Sequence, residues 1–231
     1  LKITHNERKI LLAAGSTAGM AAIFGSPVAA IFLAIELLLF EFSPRSIIPV
    51  ALACITGAAG HHLLFGTGPV FAMTSFIDTP TNTSLAAYSV MGIVIGFLSV
   101  GVTKIVYLIE DGFEKLPVHW MWWPAIGGLA VGIIGYFSPR TLGVGYSNIT
   151  DILDGNMTLQ IVLSLCLLKF ISWAIALGSG TSGGTLAPLL TIGGGLGASL
   201  GSVILFIFPS SGVTLPLSAL CGSSPLFSGA A

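Results

Sequence analysis

Apolar residues run in long blocks along this chain and do not alternate with polar ones. The blocks cover residues 11–35, 46–77, 84–102, 120–137, 158–177 and 186–208, each near the roughly 20 residues that a helix needs to cross a bilayer core. Strands of a membrane barrel would alternate, so the pattern predicts an all-α membrane protein. Polar breaks subdivide the blocks. Gly25-Ser-Pro27 ends a first helix, and Pro27 suits the start of a second over 28–40. Ser43-Pro-Arg45 precedes a helix over 47–64, and 66–82 reads as a loop. Residues 85–116 form one very long helix with Glu110, Asp111, Glu114 and Lys115 at a solvated end. A short amphipathic connector over 148–156 precedes the last two blocks.

Small residues recur at helical spacing in two places. Gly15, Ala18, Gly19 and Ala22 lie three or four apart, and Gly193, Gly197 and Gly201 recur every four. Both patterns predict close helix contacts. The texture of residues 15–24 is repeated at 222–231, as two related halves of a transporter would show.

Composition strengthens the membrane reading and narrows the chemistry. Of 231 residues, 54% are hydrophobic and 7% charged, too few charges to clothe a soluble domain of this size. A net charge of -1 leaves no basic patch for nucleic acid. Cys54, Cys166 and Cys221 sit in apolar runs without pairing or metal spacing and read as buried free thiols. His61 and His62 point about 100° apart on a helix and cannot share one metal well. No nucleophile triad, metal set or cofactor fingerprint is present, so the chain does not read as an enzyme. His119-Trp-Met-Trp-Trp-Pro124 reads as an anchor where bilayer meets water.

The stretch with most to explain is Gly178-Ser-Gly-Thr-Ser-Gly-Gly-Thr-Leu-Ala-Pro188. Small side chains feed an apolar run, and no Asp, Glu, Lys, Arg or His follows Lys169. The stretch predicts a membrane-buried turn entering a helix N-terminus, where unpaired N–H groups and the helix dipole hold an anion without a basic side chain. Its formal G-x-G-x-x-G match lacks a preceding strand and a following acid, which excludes a dinucleotide site. Lys169, near the middle of an apolar helix, is a candidate for function by its position, and its structural alternatives are to snorkel or to pair with a carboxylate such as Glu36 or Asp154. Glu36 and Glu41 lie at the end of the second helix, facing either a water-filled path or the membrane edge.

Together these residues resemble the CLC family of chloride channels and proton-coupled chloride exchangers. Gly183-Gly-Thr-Leu-Ala-Pro188 is similar to that family's G-G-x-F-x-P anion motif, with Leu186 in place of Phe. Gly15, Gly19, Phe24, Pro27 and Glu36 are spaced as in the segment following its gating-glutamate motif. The resemblance implies an inverted-repeat bundle of tilted and partly broken transmembrane helices, here incomplete. Residues 1 to about 75 would close the first half, and about 83–231 would open the second. It implies a multi-pass homodimer, with 28–40 and 47–64 contributing to the interface, that moves chloride or a similar monovalent anion and needs no cofactor.

In that family the backbone amides around Gly183, Gly184, Thr185 and Leu186 would face the anion. The serine motif and the gate are expected before Leu1, and the anion-contacting tyrosine after Ala231. Exchangers of the family carry a second acid after the position of Glu36; here it is Leu37, which cannot carry a proton. That leaves the intact protein channel-like or uncoupled unless another acid substitutes, and Glu41, one helical turn further, is the candidate. The competing readings are a different broken-helix transporter and a membrane scaffold whose glycines serve packing alone.

Overall fold

A computed structural model describes residues 3–68, 79–155, 157–181 and 183–230. The side chains of Ser210 and Ala230 lie outside this description, as do residues 69–78 of the loop expected over 66–82. Every regular element among the described residues is helical. The chain divides into two compact units, residues 1–72 and 73–231.

The first unit holds α1 (His5–Phe24), α2 (Pro27–Leu33) with a π-helical continuation over Ala34–Leu39, and α3 (Pro44–Phe65). Thr4 and Glu7 start α1 with a reciprocal capping box, which satisfies two N–H groups that the helix ladder leaves open. Gly25 ends α1 in the left-handed region (φ 62°), a conformation that costs glycine little. The core is built from small side chains: Ala13, Ala14, Ala21, Ala30, Ala34, Cys54 and Ala58, with Leu39 and Val50. Small residues allow α1 and α3 to approach closely, but not through the glycines expected from the spacing. A Cβ at Gly15 or Gly19 would meet open space, whereas one at Gly57 would fall on the Ala18 carbonyl. His61 Nδ1 lies 2.6 Å from the Ala22 carbonyl oxygen and ties the end of α3 to the last turn of α1.

The second unit contains α4 (Asn82–Glu114), a 3-10 turn at Trp120–Trp122 leading into α5 (Trp123–Phe137), α6 (Tyr146–Leu153), α7 (Leu159–Gly178), α8 (Leu186–Ile207) and α9 (Leu215–Ala230). The glycine seam of α8 meets α9. A Cβ at Gly193 would come within 2.7 Å of Ser223 Cα, and one at Gly197 would overlap the Ser218 carbonyl. Thus Gly193, Gly197 and Gly201 do form the predicted close contact. The partner helix α9 was absent from the apolar-block reading, because Leu215–Ala230 is short and interrupted by Pro225. The residue that precedes it is tied to α4: Thr214 N donates to Tyr88 Oη at 2.8 Å.

Among the described residues five helices are long and apolar enough to cross a membrane: Pro44–Phe65, Asn82–Glu114, Trp120–Phe137, Leu159–Gly178 and Leu186–Ile207. The sixth expected block, 11–35, is not one span, because Gly25 and Pro27 split it between α1 and α2. At about 1.5 Å per residue, the 33 residues of α4 reach about 50 Å, well beyond a hydrocarbon core of about 30 Å. Large apolar side chains lie outward along these helices, among them Phe97, Leu129 and Phe206. Lipid, and not water, is the solvent such a surface fits. Trp120 and Trp122 are likewise exposed in the turn that opens α5.

Candidate functional site

The turn between α7 and α8 is shaped by what holds its two ends. Gly178 lies so close to α4 that a Cβ there would sit 2.8 Å from Ile109 Cγ2 and 3.2 Å from the Glu110 amide nitrogen. Ser179 is buried and its hydroxyl donates to the Ala176 carbonyl at 2.7 Å. Thr181 Oγ1 donates to the same carbonyl. Gly127 of α5 packs over Ser179; a Cβ there would lie 2.6 Å from Ser179 Cβ. Gly180 reverses the chain at φ 79°. Two hydroxyls on one carbonyl therefore brace the end of α7, a local role the sequence reading did not assign to Ser179 and Thr181. Their spacing of three and five residues from Ala176 is the signal that could have found it.

Beyond the brace the backbone is bare. Gly183, Gly184 and Thr185 are exposed and Leu186 is half-buried. Thr185 is the N-cap of α8, but its side chain makes no capping bond. The helical ladder begins with Leu189 N donating to Thr185 O at 3.1 Å. Pro188 has no N–H, so the amides of Leu186 and Ala187 precede the ladder at the positive end of a 22-residue helix. Such a terminus attracts negative charge through backbone alone.

The two glutamates belong to the first unit. Glu36 lies exposed in the π-helical segment. Glu41 lies outside any helix, which corrects the reasoning that placed it one turn beyond Leu37 on a shared face. Phe40 N bonds the Ile35 carbonyl in a wide π turn, and Phe40 itself adopts φ 55°, which ends the helix at Leu39. The Glu41 carboxylate instead accepts a hydrogen bond from Ser46 Oγ, in the first turn of α3. A carboxylate there complements that helix's positive end.

Lys169 also departs from expectation. It is buried in α7, and its ammonium donates to the carbonyls of Thr141 and Gly143 at 2.8 Å each, in place of the expected carboxylate. An ion pair among the described residues joins Arg140 to Asp151 at 4.0 Å, between exposed side chains. Cys54 and Cys166 are buried free thiols, as their apolar settings predict, and Cys221 is half-buried. Among the described residues no cluster of three or more His, Cys, Asp or Glu is placed to hold a metal.

Comparison with known proteins agrees with this architecture. The H(+)/Cl(-) exchange transporter ClcA of Yersinia pestis bv. Antiqua (strain Angola) is 30% identical over 226 residues, covering 95% of this chain and 47% of that protein. ClcA of Salmonella newport (strain SL254) is 29% identical over the same coverage. The chain thus spans about half the length of the curated relatives it matches. Among solved structures, a slow cyanobacterial Cl-/H+ antiporter superposes with a TM-score of 0.82 at 22% identity, covering 98% of this chain and 54% of that one. A CLC-type fluoride/proton antiporter gives 0.75 at 24% identity, covering 95% and 54%. At these identities the structures establish the fold, an all-α CLC-type bundle. The sequence model described as voltage gated chloride channel matches residues 1–231, and with the broken-helix turn and the outward apolar surface this places the chain in the CLC family.

Proposed function

We propose that the protein to which this chain belongs moves chloride or a similar monovalent anion across a membrane. The observation that carries the reading is the uncapped N-terminus of α8, entered through an exposed glycine turn in a membrane-spanning helix. The amides of Gly183, Gly184, Thr185 and Leu186 form one wall of the anion site, and the anion is the ligand; no cofactor takes part. Residues 1 to about 75 close the first half of an inverted repeat and about 83–231 open the second. The protein works as a homodimer, with α2, its π-helical continuation and α3 on the interface; the exposed Ile48, Leu52 and Ile55 support this use of α3.

Glu36 and Glu41 stand as the candidates for a proton path. The exchange named for the ClcA relatives supports proton coupling, whereas Leu37 at the second-acid position opposes it. Glu41, held by Ser46, supplies charge compensation to α3 and so serves less directly than a helix-borne acid would.

The test is anion efflux from liposomes holding the full-length protein, with proton movement recorded alongside. Chloride efflux above protein-free vesicles is the expected result, with proton movement small and lowered further in Glu41→Gln if that acid substitutes. No anion flux supports a packing scaffold. Proton movement that survives Glu41→Gln undiminished removes Glu41 from the path.

A further inference from the structure

Lys169 is 4% exposed and is the only charged residue of α7. Its hydrogen bonds run to two carbonyl oxygens of the turn that leads into α6. Next to them lies Gly145, held at φ 78°. A Cβ at Gly145 would fall 3.2 Å from Asn148 Nδ2, 3.7 Å from Lys169 Nζ and 3.9 Å from Thr191 Oγ1. Asn148 and Thr191 are themselves buried. Asn148 Nδ2 donates to the Arg140 carbonyl at 2.7 Å, and Thr191 Oγ1 donates to the Ala187 carbonyl at 2.9 Å. Buried polar side chains from α6, α7 and α8 therefore converge on one glycine turn, and the last of them reaches into the first turn of α8.

Two carbonyls need only two N–H donors, which a neutral glutamine amide supplies. A lysine in apolar surroundings costs far more to bury than an amide does. Carbonyl partners carry no net charge and so do not neutralise a charge at Lys169. The α8 terminus, the start of the anion wall in the reading above, lies on the same helix as Thr191. Five residues separate Leu186 from Thr191, on the order of 8 Å along the axis.

We propose that Lys169 is the fixed positive charge behind the anion site, a positioning residue that holds the 141–145 turn against α8 and adds its field to that of the α8 N-terminus. The proposal rests on the anion reading above. It gives α8 a charge that no residue after Lys169 provides, since that part of the sequence carries none. Opposite unit charges on the order of 10 Å apart, at an effective dielectric of about 20, favour binding roughly tenfold or somewhat more.

The test uses full-length protein, with chloride affinity measured by isothermal titration calorimetry and folding checked by thermal melting. Lys169→Gln keeps two donors for the two carbonyls and removes the charge; Lys169→Arg keeps the charge. The expected result is chloride affinity weakened roughly tenfold in the glutamine variant at near-native melting, with the arginine variant close to wild type. Should the glutamine variant not fold, Lys169→Met, which retains the aliphatic stem, carries the same comparison. A folded neutral variant that binds chloride as wild type does overturns the proposal, as does a folded arginine variant that loses affinity with the neutral ones. If wild type binds no chloride, the anion reading itself fails, a result distinct from either.

Discussion

At the residue scale the physics is that of single backbone groups needing partners. Thr4 N and Thr4 Oγ1 donate to Glu7 Oε2 at 2.7 and 2.8 Å, and the backbone bond comes first in holding the Glu7 carboxyl below its ordinary value of 4.5. A lowered carboxylate contributes stability that is fully present above that ordinary value and is lost as pH falls through the lowered one. Glu7→Gln should therefore melt below wild type at neutral pH, and the gap should close on acidification. A gap that persists unchanged in acid would show that Glu7 acts by something other than its charge. The same accounting explains why Lys169 has partners other than the carboxylate expected for it. Composition says that a charge near lipid needs a partner, but it does not say whether the partner is a carboxylate, a serine hydroxyl or a carbonyl. For Lys169 the carbonyls belong to a turn 26 to 28 residues away, a proximity only the fold creates.

At the scale of elements, helix positions were largely legible because proline and glycine punctuate apolar blocks. Pro27, Pro44 and the Trp123-Pro124 pair stand at helix starts, and Gly25 ends α1. The seam of α8 was legible too, but its partner was not, since α9 is short and poor in large apolar residues. Spacing also failed to say which glycines are used. Gly15 and Gly19 share the helical spacing of the α8 seam, yet α1 presents the Ala18 backbone to Gly57 instead. Substitution separates the two kinds. Gly197→Ala places a methyl on the Ser218 carbonyl and within 2.9 Å of Gly222 Cα, an overpacking that costs about 1–3 kcal/mol. Gly132→Ala in α5 meets no atom within 4 Å and should leave stability unchanged or raise it by up to about 1 kcal/mol through helix propensity. Melting of the two variants in the same detergent checks this; equal melting temperatures would mean that the α8–α9 contact yields.

At the scale of the whole molecule, the sequence announced a membrane bundle through its scarcity of charge, and family resemblance supplied the arrangement of broken helices. The turn that enters α8 was legible for a physical reason: bare backbone in an apolar setting is tolerated only where something polar faces it. The amides at the start of α8 are the central claim. Anomalous diffraction from crystals of the full-length protein grown with bromide in place of chloride tests it directly. The account predicts a bromide peak within hydrogen-bonding distance of the Thr185 and Leu186 amides, and bromide bound elsewhere in the protein with none at these amides would contradict it.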